Sequence, residues 1–302
     1  LRITATREVD VTNETHSLAE RRVLVTNDDG VESEGIHVLT ETLVRAGYDV
    51  VVVAPNSDRS GTGASIGLVH ADQHLDVEQV KMFGCEDVPA FALDGPPGLC
   101  VCAARLGAFG GPPDVVVSGV NPGCNTGRAI LHSGTVGAAL TAQSFGASAL
   151  AVSVDVGDQW YFDTAARVAV DVLPMLLDAP PRSVLNLNVP ARPYDDVLGV
   201  RWARLAAFGA VRAAVQEAED GRLQFELRAT GVEPPEDSDQ GLVNAGYASL
   251  TTIVGVAEAW PPPDLEVPEL YEHVVPGAPV EPVQAVPDAS EPRWLHRPLH
   301  RT

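Results

Sequence analysis

Two hydrophobic rhythms alternate along the first two thirds of the chain. The run RVLVTN (22–27) is short and β-branched, and reads as a strand. GIHVLTETLVRAG (35–47) then sets Ile36, Leu39, Leu43 and Ala46 on one face and closes on Gly47, the pattern of a helix with a glycine stop. YDVVVVAP (48–55), PDVVVSGVN (113–121), ASALAVSV (147–154) and SVLNLNVP (183–190) are near-continuous apolar runs rather than alternating ones. Such runs suit strands of a parallel sheet covered on both faces. Between them, PPGLCVCAARLG (96–107), SGTVGAALTAQSFG (133–146) and YFDTAARVAVDVLPMLLDAP (161–180) read as helices, the last with a bend expected at Pro174. Strand and helix alternating in this way predict an α/β fold with a doubly wound, mostly parallel sheet over residues 21–195.

After residue 195 the pattern changes. VRAAVQEAEDGRLQFELRAT (211–230) places Asp220-Gly221 between two extended segments, a hairpin signal. Its apolar alternation at Leu223, Phe225 and Leu227 has little chain of its own to pack against, which predicts at least a dimer. EPPEDSDQGLVNAGYASLTTI (233–253) reads as an acidic loop leading into a last strand. The expected organisation is therefore a polar N-terminal extension (1–20), a catalytic core (21–195), a hairpin and C-terminal segment (196–260) and a proline-rich tail (261–302).

Composition narrows the function. The 302 residues are 45% hydrophobic but only 5% aromatic, enough for a large core of small side chains. A formal net charge of −21 argues against a nucleic-acid duplex or an anionic membrane as partner. An anionic small substrate would need a local positive centre. Cys85, Cys100, Cys102 and Cys124 form neither a C-x-x-C motif nor a disulfide framework. No run approaches the roughly 18 apolar residues of a membrane span. LRITATREVDVTNETHSLAE lacks the apolar stretch of a signal peptide, and a cytoplasmic location is expected.

Ligands of an open parallel sheet bind outside the carboxyl ends of its strands. Three polar loops fall at that edge: Asn27-Asp28-Asp29-Gly30, APNSDRSGTGASI (54–66) with Asp58, Arg59, Ser60 and Gly61, and SGVNPGCNTG (118–127) with Ser118, Asn121 and Asn125. Two adjacent carboxylates at the end of a buried strand repel each other and resist desolvation, so a cation is expected beside Asp28 and Asp29. Oxygen donors without His or Cys suit a hard divalent ion such as Mg²⁺ or Mn²⁺. Ser133, Gly134 and Thr135 open a helix and offer a phosphate cradle. Cation and cradle together point to metal-assisted phosphoester hydrolysis. Arg59 is placed either to counter the carboxylates or to touch phosphate. His70 and His74 lie four apart, but LVHADQHLDVEQV (68–80) alternates like a strand or loop, so they read as surface histidines.

The pieces VLVTNDDGVESEGI, VVVAPNSDRSG, LDGPPGLCV, PDVVVSGVNPGCNTG, HSGTVGAA, LNLNVP and DSDQGLVNAGYASLT, in this order and spacing, resemble the SurE family of survival-protein-E nucleotidases over residues 22–256. The resemblance implies a Rossmann-like core and a C-terminal β-hairpin extension used in homodimers or homotetramers. It implies release of phosphate from nucleoside 5′- or 3′-monophosphates with one Mg²⁺ or Mn²⁺ per subunit. Asp28, Asp29, Ser60 and Asn121 would hold the metal, with Asp28 and Asp29 catalytic. Asn27, Asn125, Ser133, Gly134 and Thr135 would face the substrate phosphate. The family usually has a tyrosine before S-G-T, where this chain has His132, a position able to donate a proton, shape the nucleoside pocket or simply pack. Residues 1–20 and the tail lie outside the resemblance.

Three rival readings remain in view: a phosphatase for another phosphorylated metabolite, a non-catalytic nucleotide-binding protein, and a haloacid-dehalogenase-type phosphatase. The last needs D-x-D, whereas Asp28 and Asp29 are adjacent. A dinucleotide-binding dehydrogenase would show G-x-G-x-x-G after the first strand, and TNDDGV does not.

Overall fold

The computed structural model describes residues 21–67, 74–207, 211–217, 223–229 and 231–257. The elements run β1 (Arg22–Thr26), α1 (Glu34–Arg45), β2 (Asp49–Pro55), β3 (Val77–Met82), β4 (Cys85–Leu93), α2 (Pro97–Arg105) and β5 (Val115–Pro122). They continue with α3 (Gly134–Ser144), β6 (Ser148–Val154), α4 (Phe162–Leu177), β7 (Val184–Val189), β8 (Val200–Trp202), β9 (Val211–Glu217), β10 (Leu223–Ala229), α5 (Asp239–Asn244) and β11 (Ala248–Ile253). A nine-stranded mixed sheet has the order β3-β4-β2-β1-β5-β6-β7-β11-β8. Its six central strands, β4 to β7 in that order, are parallel, while β3 and β11 pair antiparallel to their inner neighbours.

The continuous apolar strands follow from burial on both faces. Val23 and Val25 of β1 pack in one layer with Leu39 and Leu43 of α1 and Val172 and Leu173 of α4. Leu24, between them, packs in the opposite layer with Val101 of α2 and Ala138 and Ala142 of α3. The same division splits β2, β5, β6 and β7, so both sides of these strands are mainly apolar, with Ser118, Ser153, Asn186 and Asn188 as buried polar exceptions. Pro174 sits in the last turn of α4.

The sequence reading missed β4, β8 and α5, and left β3 open as strand or loop. β3 and β4 form a hairpin at one edge of the sheet, whose exposed outer strand VEQVKM carries little apolar signal. β8 is only three residues, all exposed. The stretch read as an acidic loop contains α5, started by Ser238, whose hydroxyl accepts from Gly241 N–H at 3.1 Å. The expected hairpin is present as the antiparallel pair β9–β10, with Leu223 opposite Glu217. Its turn residues Asp220-Gly221 lie outside the described residues, as do His70, residues 1–20 and the tail from 258 on. Among the described residues no helix is long and apolar enough to cross a membrane.

From β1 the chain proceeds to β2 and β4 on one side, and from β5 to β6 and β7 on the other. The order therefore reverses between β1 and β5, which pair directly through Thr26 and Ser118. That switch point opens a crevice at the carboxyl ends of both strands.

Candidate active site

Asn27, fully buried after β1, ties the first loop into shape. Its Nδ2 donates to the Gly30 carbonyl at 2.9 Å and to Ser33 Oγ at 2.7 Å. Gly30 has φ +99°, and a Cβ there would stand 3.2 Å from the Ser57 carbonyl carbon, so glycine is what lets the first two loops meet. The loops are further joined by Arg59 N–H donating to the Asp28 carbonyl at 2.7 Å. The second loop reaches the end of the 3₁₀ turn that follows the third, Gly63 N–H donating to the His132 carbonyl at 3.2 Å.

The adjacent carboxylates sit in unlike surroundings. Asp28 is buried, and its Oδ1 accepts from Thr135 Oγ1 at 2.5 Å. Burial raises the pKa of Asp28 while the Thr135 hydroxyl and backbone pull it down. Gly134 lets this contact form: a Cβ there would lie 2.6 Å from Asp28 Cβ and 2.7 Å from its Oδ2. Asp29 has no such support. Its Oδ2 is buried without a hydrogen-bond partner among the described residues. Burial first, and then the charges of Asp28 and Asp58, push its carboxyl up to about 7.

The neutral oxygens are pre-oriented. Ser60 donates through both its hydroxyl (2.6 Å) and its backbone N–H (2.8 Å) to Asp58 Oδ1, which holds the Asp58 carboxyl below its usual range. Asn121 commits Nδ2 to the Gly123 carbonyl at 2.6 Å, which turns its Oδ1 away as an acceptor. Further oxygens on the paired ends of β1 and β5, Thr26 Oγ1, Asn27 Oδ1 and Ser118 Oγ, are buried and unpartnered among the described residues. A buried acceptor such as Asn27 Oδ1, next to the two carboxylates in the chain, is one that a bound cation would satisfy. The donor types at Asp28, Asp29, Ser60 and Asn121 are all oxygen and fit a hard divalent ion. Among the described residues no group of three or more His, Cys, Asp or Glu is arranged to hold a metal.

The helix start that faces the carboxylates is divided in its duties. Ser133 caps α3, its Oγ accepting from Val136 N–H at 3.2 Å. Thr135, expected on the phosphate, spends its hydroxyl on Asp28. His132 ends the 3₁₀ turn Gly127–His132 and its side chain is exposed. Arg59 does not counter the carboxylates: its Nη2 lies 2.5 Å from Asp94 Oδ1 in the LDGPPG turn. Asn125 is held by Asn186, Asn188 and Ser153, and Gly127 by Asp239. The sequence reading assigned these four supporting residues no role. The signal was present, since two asparagines alternate with leucines in the buried strand LNLNV and buried amides require partners. All four cysteines are free, and burial pushes the Cys100 and Cys124 thiols up, away from any nucleophilic role.

Fold and site together define a doubly wound α/β protein with an acidic, oxygen-lined site at its switch point, faced by a helix start. The family model described as Survival protein SurE matches residues 23–210. A 5′-nucleotidase SurE of Mannheimia succiniciproducens is 37% identical over 239 residues, covering 76% of this chain and 91% of the relative. One from Haemophilus influenzae is 38% identical over 240 residues, covering 77% and 90%. The crystal structure of the SurE protein from Aquifex aeolicus superimposes with a TM-score of 0.66 at 30% identity, over 78% of this chain and 94% of that one. The chain belongs to the SurE family.

Proposed function

We propose that the protein is a divalent-metal-dependent phosphomonoester hydrolase acting on nucleoside 5′- or 3′-monophosphates. The observation that carries the reading is the buried, unpartnered Asp29 Oδ2 beside a second buried carboxylate at the switch point, in a chain whose relatives are named 5′-nucleotidases. Asp28, Asp29, Ser60 and Asn121 would hold one Mg²⁺ or Mn²⁺. When bound, the ion supplies positive charge opposite the phosphoryl oxygens, in a protein whose net charge of −21 otherwise repels them.

The chain's own groups do the rest. Thr135 fixes the Asp28 carboxylate in one orientation. Asp29, whose Oδ2 has no partner among the described residues, would hold the ion and orient the attacking water. The first turn of α3 and Asn125 orient the phosphate, and Asn27 keeps the N-D-D-G turn closed beneath it. His132 stands at the rim, where the leaving nucleoside or its replacement would pass. Arg59, engaged by Asp94, stiffens the second loop and through it Ser60. The hairpin β9–β10 supports the reading of a homodimer or homotetramer, and a cytoplasmic location is part of the proposal.

A panel of phosphate esters (nucleoside 5′- and 3′-monophosphates, sugar phosphates and para-nitrophenyl phosphate), assayed with chelator, Mg²⁺ and Mn²⁺, tests the proposal. Metal-dependent turnover fastest on nucleoside monophosphates supports it. Turnover that survives chelation, or that prefers a non-nucleotide ester, overturns it.

A further inference from the structure

The loop after β5 is held in two separate halves. Asn121 and Gly123 form the first: Asn121 Nδ2 donates to the Gly123 carbonyl, and Gly123 N–H donates to Val154 O at 2.8 Å. The second half, Asn125 to Gly127, is gripped by side chains from elsewhere in the fold. Asn188 on β7 accepts from Asn125 N–H through Oδ1 at 2.7 Å and donates through Nδ2 to the Asn125 carbonyl at 3.0 Å. A single side-chain amide thus satisfies both backbone groups of one residue, as a neighbouring strand would. Asn186 donates to the same carbonyl at 2.8 Å, and Ser153 on β6 accepts from Asn125 Nδ2 at 2.9 Å. Ser153 takes one of the two Nδ2 hydrogens of Asn125, and the second is the donor this side chain can offer a phosphate oxygen.

Asp239, at the start of α5, completes the grip. It is fully buried, and its Oδ2 accepts from Gly127 N–H at 2.7 Å while Oδ1 accepts from Ala206 and Gln240 N–H at 3.0 and 2.9 Å. Gln240 Oε1 accepts from the Thr126 hydroxyl at 2.9 Å. Two asparagines and an aspartate, each with no solvent exposure, are costly to bury, and their hydrogen bonds to the loop backbone offset that cost. Gly127 begins the 3₁₀ turn that delivers Ser133, the cap of α3. The grip therefore places Asn125 and the entry to α3 together, while leaving Asn121 to its own tether.

We propose that Asn186, Asn188 and Asp239 are positioning residues that set the affinity for the substrate's phosphate through Asn125 and the start of α3, without setting the affinity for the metal. The proposal rests on the phosphomonoesterase reading above. Asp239→Asn is the sharpest probe. Its remaining oxygen still serves Ala206 and Gln240, so the start of α5 is kept, while its new N–H₂ faces the Gly127 N–H. Asn188→Ala removes both bonds to Asn125.

In the full chain, both variants are expected to raise KM for nucleoside monophosphate and weaken inhibition by inorganic phosphate by roughly five- to twentyfold, the worth of one or two hydrogen bonds. kcat should stay within about threefold, and the upward shift of Tm on adding Mn²⁺ should match wild type, as uniform loss of binding predicts. Folded variants with unchanged KM and phosphate inhibition would overturn the proposal, as would a metal-induced Tm shift lost in step with phosphate affinity. If Asp239→Asn does not fold, Ser153→Ala, which frees only the Asn125 side chain, decides in its place. If wild type hydrolyses no monophosphate, the functional reading fails, and calorimetric binding of inorganic phosphate to wild type and Asn188→Ala still decides the grip.

Discussion

Removing Asp29's charge should stabilise the metal-free protein, and the gain should depend on pH. The Asp29 carboxyl sits at about 7 against 3.8 for a free aspartate, chiefly because of burial and then because of Asp28 and Asp58. A folded-state value above the unfolded one means that the fold prefers the neutral acid. Its contribution is fully present below pH 3.8 and is lost as pH rises through about 7, where the carboxylate must ionise in place. A shift of about three units is worth about 4 kcal/mol at 1.36 kcal/mol per unit. Asp29 is only half-buried, so solvent screening reduces the penalty to about 1–2 kcal/mol. In chelator, Asp29→Asn should match wild type near pH 4 and exceed it by about 1–2 kcal/mol at pH 8, or a few degrees in Tm for a domain of this size. Saturating Mn²⁺ should reverse the order, because wild type gains binding free energy that the variant forfeits. Urea melts at four pH values, with chelator and with Mn²⁺, measure this directly. A difference that is flat from pH 4.5 to 8 in chelator, or a variant less stable than wild type at pH 8, would refute the argument.

Gly134→Ala should keep the fold and cost activity on the order of 10²-fold, since its Cβ would press on Asp28 at 2.6–2.9 Å and displace the carboxylate; unchanged kcat/KM with an unchanged circular dichroism spectrum would contradict this. His132→Phe should lower turnover of nucleoside monophosphates and of para-nitrophenyl phosphate equally, because the structure fixes only the His132 carbonyl, on Gly63 N–H. A loss confined to the poorer, ribose leaving group would instead assign His132 as the general acid. The apolar alternation at Leu223, Phe225 and Leu227 predicts at least a dimer by light scattering at micromolar concentration, and a strictly monomeric mass would count against it.

The central sheet was legible because physics leaves its strands little choice. A strand such as Val50–Ala54 is buried on both faces and apolar throughout, which no surface element imitates. β4 escaped because CEDVPAFAL has two acids after its first residue and carries Pro89, and only its last residues are fully buried. α5 escaped because six residues are too few for periodicity, although Ser238 ahead of Asp239 was a readable cap. The three loops could be placed at one edge from sequence, since each follows a strand whose identity was clear. Their partners could not. Thr135 lies 107 positions from Asp28, and Asn188 lies 63 from Asn125. Arg59 finds Asp94, 35 positions on, in preference to carboxylates adjacent to its own loop. Such pairings are decided by which strands neighbour in the sheet, and a single sequence does not state that order.

The pairing of Thr135 with Asp28 changes how the two adjacent carboxylates are understood. Alone, N-D-D-G suggests two equivalent ligands. In the fold, Asp28 lies against the start of α3, where a hydroxyl and the positive end of the helix offset its burial. Asp29 receives neither, and carries the larger share of the unrelieved charge. Unlike surroundings for like groups separate their roles. Asp28 is a fixed post whose geometry is set before any ion arrives. Asp29 is the group whose energy improves most when a cation binds and which titrates nearest neutral pH without one. A chain that held both carboxylates equally would be more stable in the absence of metal and would have less to gain from it. The asymmetry is built by Gly134, which admits Asp28 to the helix start and leaves Asp29 outside it.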